Sequence, residues 1–416
     1  MTGERSASVA IVGGGFSGTM LAAHLARRGI DCLLVDGSGR VGRGVAYSTR
    51  EAAHLLNVRA EGMSAWAEEP SHFAARFEAA GGGRRGFAER HFYAAYLTAI
   101  LDEAIATGRV KLVDAMATAA EPNETGWSIT LDDGRTIEAE ALALASGNQP
   151  PGRIAAFDQA GPRFIADPWS EAAQAAIREV AGSSGEILFV GTGLTMIDLA
   201  LSLDAAEFTG SMTALSRRGL VPRAHADFAS APVGLAELPL GNLRGLARWL
   251  RRRGAEVGWR AAVDSLRPHS HAIWHSLHPV QQRCFLRHAR AWWDVHRHRI
   301  APDVAGVLAR LIAEQRLEIA AGRLLAGRPD GDAIAVTYSR RGGAIVDRHF
   351  DYVFNCTGPL GAIDRTRDPL LRSLLDRGAA RGDELGLGLA IDRRARIEGA
   401  TRMWAVGPLT KALFWE

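Results

Sequence analysis

The stretch Val9-Ala10-Ile11-Val12-Gly13-Gly14-Gly15-Phe16-Ser17-Gly18 decides how the rest of the chain is read. Its first four residues are a short apolar, mostly β-branched run, which reads as a strand. The glycines form a turn, and Phe16 to Arg28 carries the spacing of a helix, closed by Gly29 as a C-terminal cap. Cys32 to Val35 is a second strand and stops at Asp36. Strand, turn, helix and strand make one βαβ unit of a parallel sheet. In Gly13-x-Gly15-x-x-Gly18 the first glycine permits the tight turn. The second lets backbone approach a pyrophosphate, and the third lets helix pack close to strand. Unpaired N–H groups at the helix start favour phosphate, and Asp36 stands where a ribose hydroxyl would be bonded.

The same grammar returns almost half a chain later. Glu186 to Val190 reads as a strand, Gly191-Thr192-Gly193 as the turn, Leu194 to Leu203 as the helix and Ser211 to Ser216 as the next strand. Leu194 and Thr195 open that helix, and Met196 takes the third glycine's place. Where the first unit has Asp36, the second has Ser216-Arg217-Arg218. An acid there repels a 2′-phosphate, whereas serine and arginine bind one. The first unit is therefore expected to hold FAD and the second NADPH. The other reading of Arg217 and Arg218 is two solvated surface arginines. Of the 49 basic residues only Lys111 and Lys411 are lysines, so an arginine by itself is weak evidence. Two dinucleotide sites in one chain imply hydride transfer from nicotinamide to flavin, with the protein positioning and shielding both.

Between the units lie a loop-rich stretch (37–90), a helix from about Phe92 to Thr107, and a strand pair, Trp127–Leu131 and Thr136–Ala141, turned at Asp132-Asp133-Gly134. Ala141 to Ala145 then runs into Ser146-Gly147-Asn148. After the second unit comes a helical, Arg/His/Trp-rich insertion at about 240–315. A late strand pair, Ala333–Ser339 and Val346–Phe354, leads into Cys356-Thr357-Gly358-Pro359. The fold class is α/β with two Rossmann-like domains. One is a discontinuous FAD domain (1–165 and 325–416); the other is an inserted NAD(P)H domain (166–324) bearing the helical subdomain.

The chain has 416 residues, 47% hydrophobic and 23% charged, which excludes disordered and fibrous classes. Net charge is +3, so no strong field marks out a nucleic-acid or membrane partner. No apolar run approaches the length of a membrane span. Cytoplasmic residence is the expectation. The three cysteines (Cys32, Cys284, Cys356) are far apart, which excludes a CxxC dithiol centre. No hydrolase, protease or kinase motif is present.

These motifs resemble the two-dinucleotide-domain flavoproteins, and more narrowly the YdhS-like FAD/NAD(P)-binding proteins, relatives of the flavin-containing and N-hydroxylating monooxygenases. The resemblance spans nearly the whole chain. It is carried by the two glycine turns, Gly44-Val45-Ala46-Tyr47, Leu55-Leu56-Asn57 with Met63-Ser64, and Ala145-Ser146-Gly147-Asn148. Further carriers are Ser216-Arg217-Arg218-Gly219, Trp293 to Arg299, Cys356-Thr357-Gly358-Pro359 and the late Gly407-Pro408. It implies that Gly147 and Gly358 end crossover strands between the domains. It also implies that Asn57 and Met63 stand beside the flavin, the Asn57 amide helping to stabilise an oxygenated flavin; an Asx-turn role is the other reading of Asn57. The implied activity is an NADPH-dependent monooxygenase acting through a C4a-hydroperoxyflavin on a small heteroatom-bearing or electron-rich substrate, with O2 as co-substrate. The alternatives are an NAD(P)H reductase serving an organic acceptor, and a non-catalytic FAD-bound redox-sensing or partner-binding module. Phe164-Ile165-Ala166-Asp167-Pro168-Trp169 lacks the histidine of the Baeyer–Villiger signature. In relatives a helix continues beyond Gly407-Pro408-Leu409-Thr410 toward the flavin ring, and here it is expected to be short or missing.

Two further clusters combine chemistry-bearing residues. His269, His271, His275 and His278 lack the cysteine or carboxylate ligands of a zinc site, so no metal is expected. Trp292-Trp293 amid basic residues could stack single-stranded nucleic acid, but an amphipathic helix packed on the body is the better reading. The insertion is expected to roof the substrate site, with His296 or Arg297 facing it.

Overall fold

The computed structural model describes residues 4–415. The first sheet collects β1 (Glu4–Val12), β2 (Cys32–Val35), β3 (Val110–Val113), β4 (Ala117–Pro122), β5 (Trp127–Leu131) and β6 (Thr136–Leu144), in the spatial order β3-β2-β1-β6-β5-β4. β1 runs parallel to β2, with Val9 opposite Cys32, and parallel to β6, with Val12 opposite Leu144. Helices α1 (Phe16–Arg27) and α2 (Arg90–Ala106) cover one face through Met20, Ala23, Tyr93 and Leu97. On the other face Trp127 and Ile129 of the β4–β6 meander meet Ile363, Leu370 and Leu374 from the far end of the chain. Burial on both faces is why β1 and β2 read as continuous apolar runs. The two runs expected at 136–141 and 141–145 are one strand: β6 pairs antiparallel with β5 at its start and parallel with β1 along its length.

The second sheet contains β7 (Phe164–Ile165), β8 (Glu186–Val190), β9 (Ser211–Ser216), β10 (Leu317–Asp330), β11 (Ala333–Arg340), β12 (Ile345–Phe350) and β13 (Tyr352–Asn355), in the order β12-β11-β10-β9-β8-β13-β7. Helix α3 (Leu194–Ala205) is the crossover between β8 and β9. The repeat of the first sheet is close: β8 lies between β9 and β13 as β1 lies between β2 and β6. A last strand, β14 (Met403–Ala405), returns to the first sheet beside β6.

Strand pairing moves two expected boundaries. β10 is parallel to β9 over Leu317–Ala321 and continues, antiparallel to β11, to Asp330. A cut at 324/325 would divide this strand. β13 then pairs with β8 and β7, so the second sheet runs from Phe164 to Asn355 and the chain returns to the first only after it. The helix Pro302–Ala313 packs Val304, Leu308 and Leu311 into the core of Phe189 and Phe354, so it is the crossover before β10 rather than part of the insertion.

The insertion itself is a set of short helices from Leu243 to Cys284, followed by α4 (Arg290–Arg297). Its small core of Leu246, Leu266, Trp274 and Leu277 includes a residue from the chain end, Trp415. Trp415 stacks on Trp274 at 4.7 Å, while Trp274 Nε1 and His275 Nε2 donate to the carbonyls of Ala412 and Leu413, each at 2.8 Å. Arg299, 2% exposed, forks onto Asp264 at 2.6 and 3.1 Å and pins the insertion to the strand return. Of the adjacent tryptophans, Trp293 packs against the insertion core and Trp292 is exposed. No helix among the described residues is long and apolar enough to cross a membrane.

Candidate functional site

Each glycine turn presses against the end of the strand beside it. Gly13 has φ +106° and Gly191 φ +125°. A Cβ at Gly13 would strike the carbonyl of Ala145, and one at Gly191 the carbonyl of Cys356. Only glycine meets both demands, the left-handed backbone and the missing volume. Gly18 packs so tightly on the Gly13 carbonyl that it, too, has no room for a side chain. Met196 takes its place in the second unit and is fully buried in the first turn of α3.

Gly15 and Gly193 begin α1 and α3, and no side chain caps either helix. The free N–H groups open on one cavity of about 1550 Å³. Its walls include Gly13, Gly15, Phe16, Ser17, Asp36 and Gly44 from the first unit, and Gly191, Gly193, Leu194, Thr195 and Arg217 from the second. Gly147, Gly358, Asn57 and Met63 also line it. Pockets for a drug-sized ligand run to roughly 300–1,000 Å³, so this cavity has room for more than one such ligand. Gly44 (φ +59°) lets the following turn lie on Gly15, leaving Phe16 and Val45 as exposed apolar surface within the cavity. The Asp36 carboxylate accepts from Gly14 N at 2.6 Å and Ser38 N at 2.8 Å, which fixes it at the end of β2.

Three expected residues stand apart from the wall. Gly18 acts through packing. Gly407 (φ +69°) lies against Ser17 and starts the short turn Gly407–Thr410, from which Pro408 reaches the cavity. Arg218 stands outside the wall, where its guanidinium donates to the Arg287 carbonyl at 3.4 Å. Adjacent residues at a strand end point to opposite sides, so Arg217 enters the cavity and Arg218 does not. Arg323 of β10 enters it instead, two positions beyond Ala321, which pairs with Ser216. A contact between strands so distant in sequence leaves no local pattern to read.

The roof also differs from expectation. His296 bonds to the Trp292 carbonyl at 2.7 Å and sets its ring edge-on to Trp259. Arg290, Asp294 and His298, spaced four apart on one face at α4, line the cavity with Val295. That i, i+4 spacing is visible in the sequence and would have found them. In the histidine cluster, His269 bonds to the Val233 carbonyl, His275 to that of Leu413, and His278 caps its own helix. Among the described residues no group of three His, Cys, Asp or Glu is arranged to hold a metal.

Burial raises the thiol pKa of Cys356 at the cavity wall and the phenol pKa of Tyr47, so both stay protonated at neutral pH. Asp368, also on the wall, is raised by burial as well. The Ser146 hydroxyl is buried beside the cavity and has no hydrogen-bond partner among the described residues. Uncapped helix starts, backbone stripped of Cβ atoms, an acid at the end of β2 and an orphaned hydroxyl fit a phosphate-bridged dinucleotide.

Comparison with known proteins agrees. The family described as FAD-NAD(P)-binding matches residues 10–149. That stretch holds the first glycine turn, Asp36, Asn57 and the Ser146-Gly147 strand end. The probable oxidoreductase OrdL of Rhizobium meliloti (strain 1021) is 36% identical over 105 residues, a stretch covering 22% of each chain. Solved structures share the two-domain fold that carries this FAD/NAD(P)-binding domain, at identities that show fold alone. L-Lysine 6-monooxygenase from Pseudomonas syringae superposes with a TM-score of 0.65 at 19% identity, over 96% of this chain and 91% of that one. The FAD-bound cadaverine monooxygenase DfoA from Erwinia amylovora gives 0.66 at 11% over 99% and 90%. The bacillithiol disulfide reductase from Staphylococcus aureus gives 0.59 at 14% over 98% and 91%.

Proposed function

We propose that this protein is an NADPH-dependent flavin monooxygenase that hydroxylates a small heteroatom-bearing or electron-rich substrate. The observation that carries the reading is the single cavity on which both glycine turns, Asn57 and Met63 open together. FAD would lie along Gly13–Gly18 with its ribose at Asp36; NADPH would lie along Gly191–Thr195. Bound flavin supplies hydride acceptance and oxygen activation. The chain's own part is to hold the two ring systems together, to exclude water, and to offer the Asn57 amide as a neutral donor at the flavin edge. Apolar surface from Phe16 and Val45 and the roof of α4 serve the second task. For the nicotinamide cofactor, Arg217 and Arg323 would share the 2′-phosphate, since neither has an ion-pair partner among the described residues.

The monooxygenase reading is favoured over thiol-disulfide reduction by the cysteines. Cys284 is exposed but stands apart from the cavity wall; Cys32 and Cys356 are buried, Cys32 with its pKa pushed up to about 11, and only Cys356 meets the cavity. A relay needs an accessible thiolate. The test is to load the protein with FAD, reduce it anaerobically with NADPH, and mix it rapidly with O2. An oxygenase passes through an absorbance distinct from both reduced and oxidised flavin. Direct return to the oxidised spectrum with stoichiometric peroxide would assign the protein to the reductases.

A further inference from the structure

The loop that ends in Asn57 is fastened to the second unit. His54, 3% exposed, bonds through Nε2 to the Asp198 carbonyl at 2.9 Å and to the Ser202 hydroxyl at 3.1 Å, while Nδ1 meets the Thr49 hydroxyl at 2.7 Å. Arg90 spans both sides: its guanidinium pairs with the Asp198 carboxylate at 2.8 Å and its Nε donates to the Leu55 carbonyl at 3.2 Å. His225, just after β9, donates to the carbonyl of Asn57 itself at 3.0 Å. Asp198 and Ser202 lie in α3, the helix that follows directly on the second glycine turn. Asp198 is 5% exposed, and both it and Arg90 line the cavity.

These contacts join helix α3 and the 54–57 loop through an ion pair, with Asp198 buried and Arg90 half-buried, and through hydrogen bonds. Removing one partner leaves the other charge uncompensated in a poorly hydrated place, which makes the pair geometrically exacting. We propose that Asp198 and Arg90 are positioning residues, which carry any adjustment of α3 on nucleotide binding to Asn57. The proposal rests on the reading of the second turn as the NADPH site. A contiguous set of contacts becomes coupling only when one site is shown to bias the other, and the experiment measures that.

The protein with FAD bound is subjected to amide hydrogen exchange with and without NADP+, as wild type, Asp198→Asn, Arg90→Lys and Ser202→Ala. In the wild type NADP+ protects the start of α3 and residues 54–57 together. In Asp198→Asn, protection at the start of α3 persists and that of 54–57 drops by about threefold. Arg90→Lys, which keeps the charge, retains most of it, and Ser202→Ala loses an intermediate share. The anaerobic rate of flavin reduction by NADPH in Asp198→Asn falls about tenfold, with the Michaelis constant little changed, as expected for misplaced rings rather than lost binding. Full protection of 54–57 in both Asp198→Asn and Ser202→Ala would overturn the coupling while leaving the NADPH site intact. Absence of protection at the start of α3 in the wild type would overturn the NADPH reading instead. Should Asp198→Asn not fold, the Ser202→Ala and Arg90→Lys pair decides the question.

Discussion

Arg217 and Arg218 are neighbours in sequence with opposite fates, and that divides their expected roles. Arg217 faces the cavity, and Arg323 joins it from the adjoining strand, while Arg218 is spent on the Arg287 carbonyl. A charge-assisted hydrogen bond to phosphate contributes about 1.5–3 kcal/mol. Arg217→Ala and Arg323→Ala should each raise the Michaelis constant for NADPH about tenfold and leave that for NADH nearly unchanged, whereas Arg218→Ala should move neither. Steady-state kinetics with both nucleotides checks this. Equal effects on NADPH and NADH would remove the 2′-phosphate assignment. Gly13→Ala and Gly191→Ala form a second residue-level test. Each forces a side chain into a carbonyl and a positive φ on alanine, so each should destabilise the chain by more than about 1 kcal/mol and abolish binding in its own unit first. Flavin retention and NADP+ titration separate the two.

At the level of elements, the loop between β9 and the insertion carries a titration. The pKa of His225 is lowered from its ordinary 6.5, first by burial and then by the nearby Arg299 and Arg59 charges, against an opposing contribution from the Asn57 carbonyl. The folded protein therefore prefers the neutral ring. Below pH 6.5 the unfolded chain takes up a proton that the folded chain resists, so stability falls as pH drops through this window. Denaturant midpoints from pH 7.5 to 5 should decline, and His225→Gln should flatten part of that slope. The Trp415 contact makes a separate claim. Its indole fills the insertion core against Trp274 and Phe285, and replacing a buried aromatic by alanine costs about 3–5 kcal/mol. Trp415→Ala should make the insertion protease-sensitive at temperatures where the two sheets remain folded, as limited proteolysis would reveal.

For the whole molecule, the interleaving of the halves has a practical test. One face of the first sheet is covered by Ile363, Leu370 and Leu374, and its parallel centre is completed by β14. A fragment ending at residue 355 leaves that face bare and should aggregate, whereas both sheets should form in the full chain; light scattering after refolding decides. The same interleaving explains what could be read in the sequence. Both glycine turns, their flanking strands and helices, and the hairpin at Gly134 were legible because each is a local pattern of a few residues. The extent of β10 was not, because nothing local marks where a strand changes partners from β9 to β11. Arg323, Arg90 and Asp198 escaped notice for a related reason: their partners or neighbours lie about a hundred residues away, and isolated charges in an arginine-rich chain carry no signal. Asn57 and Met63 stand out only through family likeness, whereas the i, i+4 spacing of Arg290, Asp294 and His298 is local and legible.

The tryptophan pair also provides an optical handle. Trp274 and Trp415 lie 4.7 Å apart with their planes inclined by 23°, close enough for excitonic coupling and a circular-dichroism couplet in the far ultraviolet. Because one indole belongs to the insertion and the other to the 403–415 segment packed into its core, the couplet reports directly on whether that contact is made. It needs no dye, no label and no flavin colour.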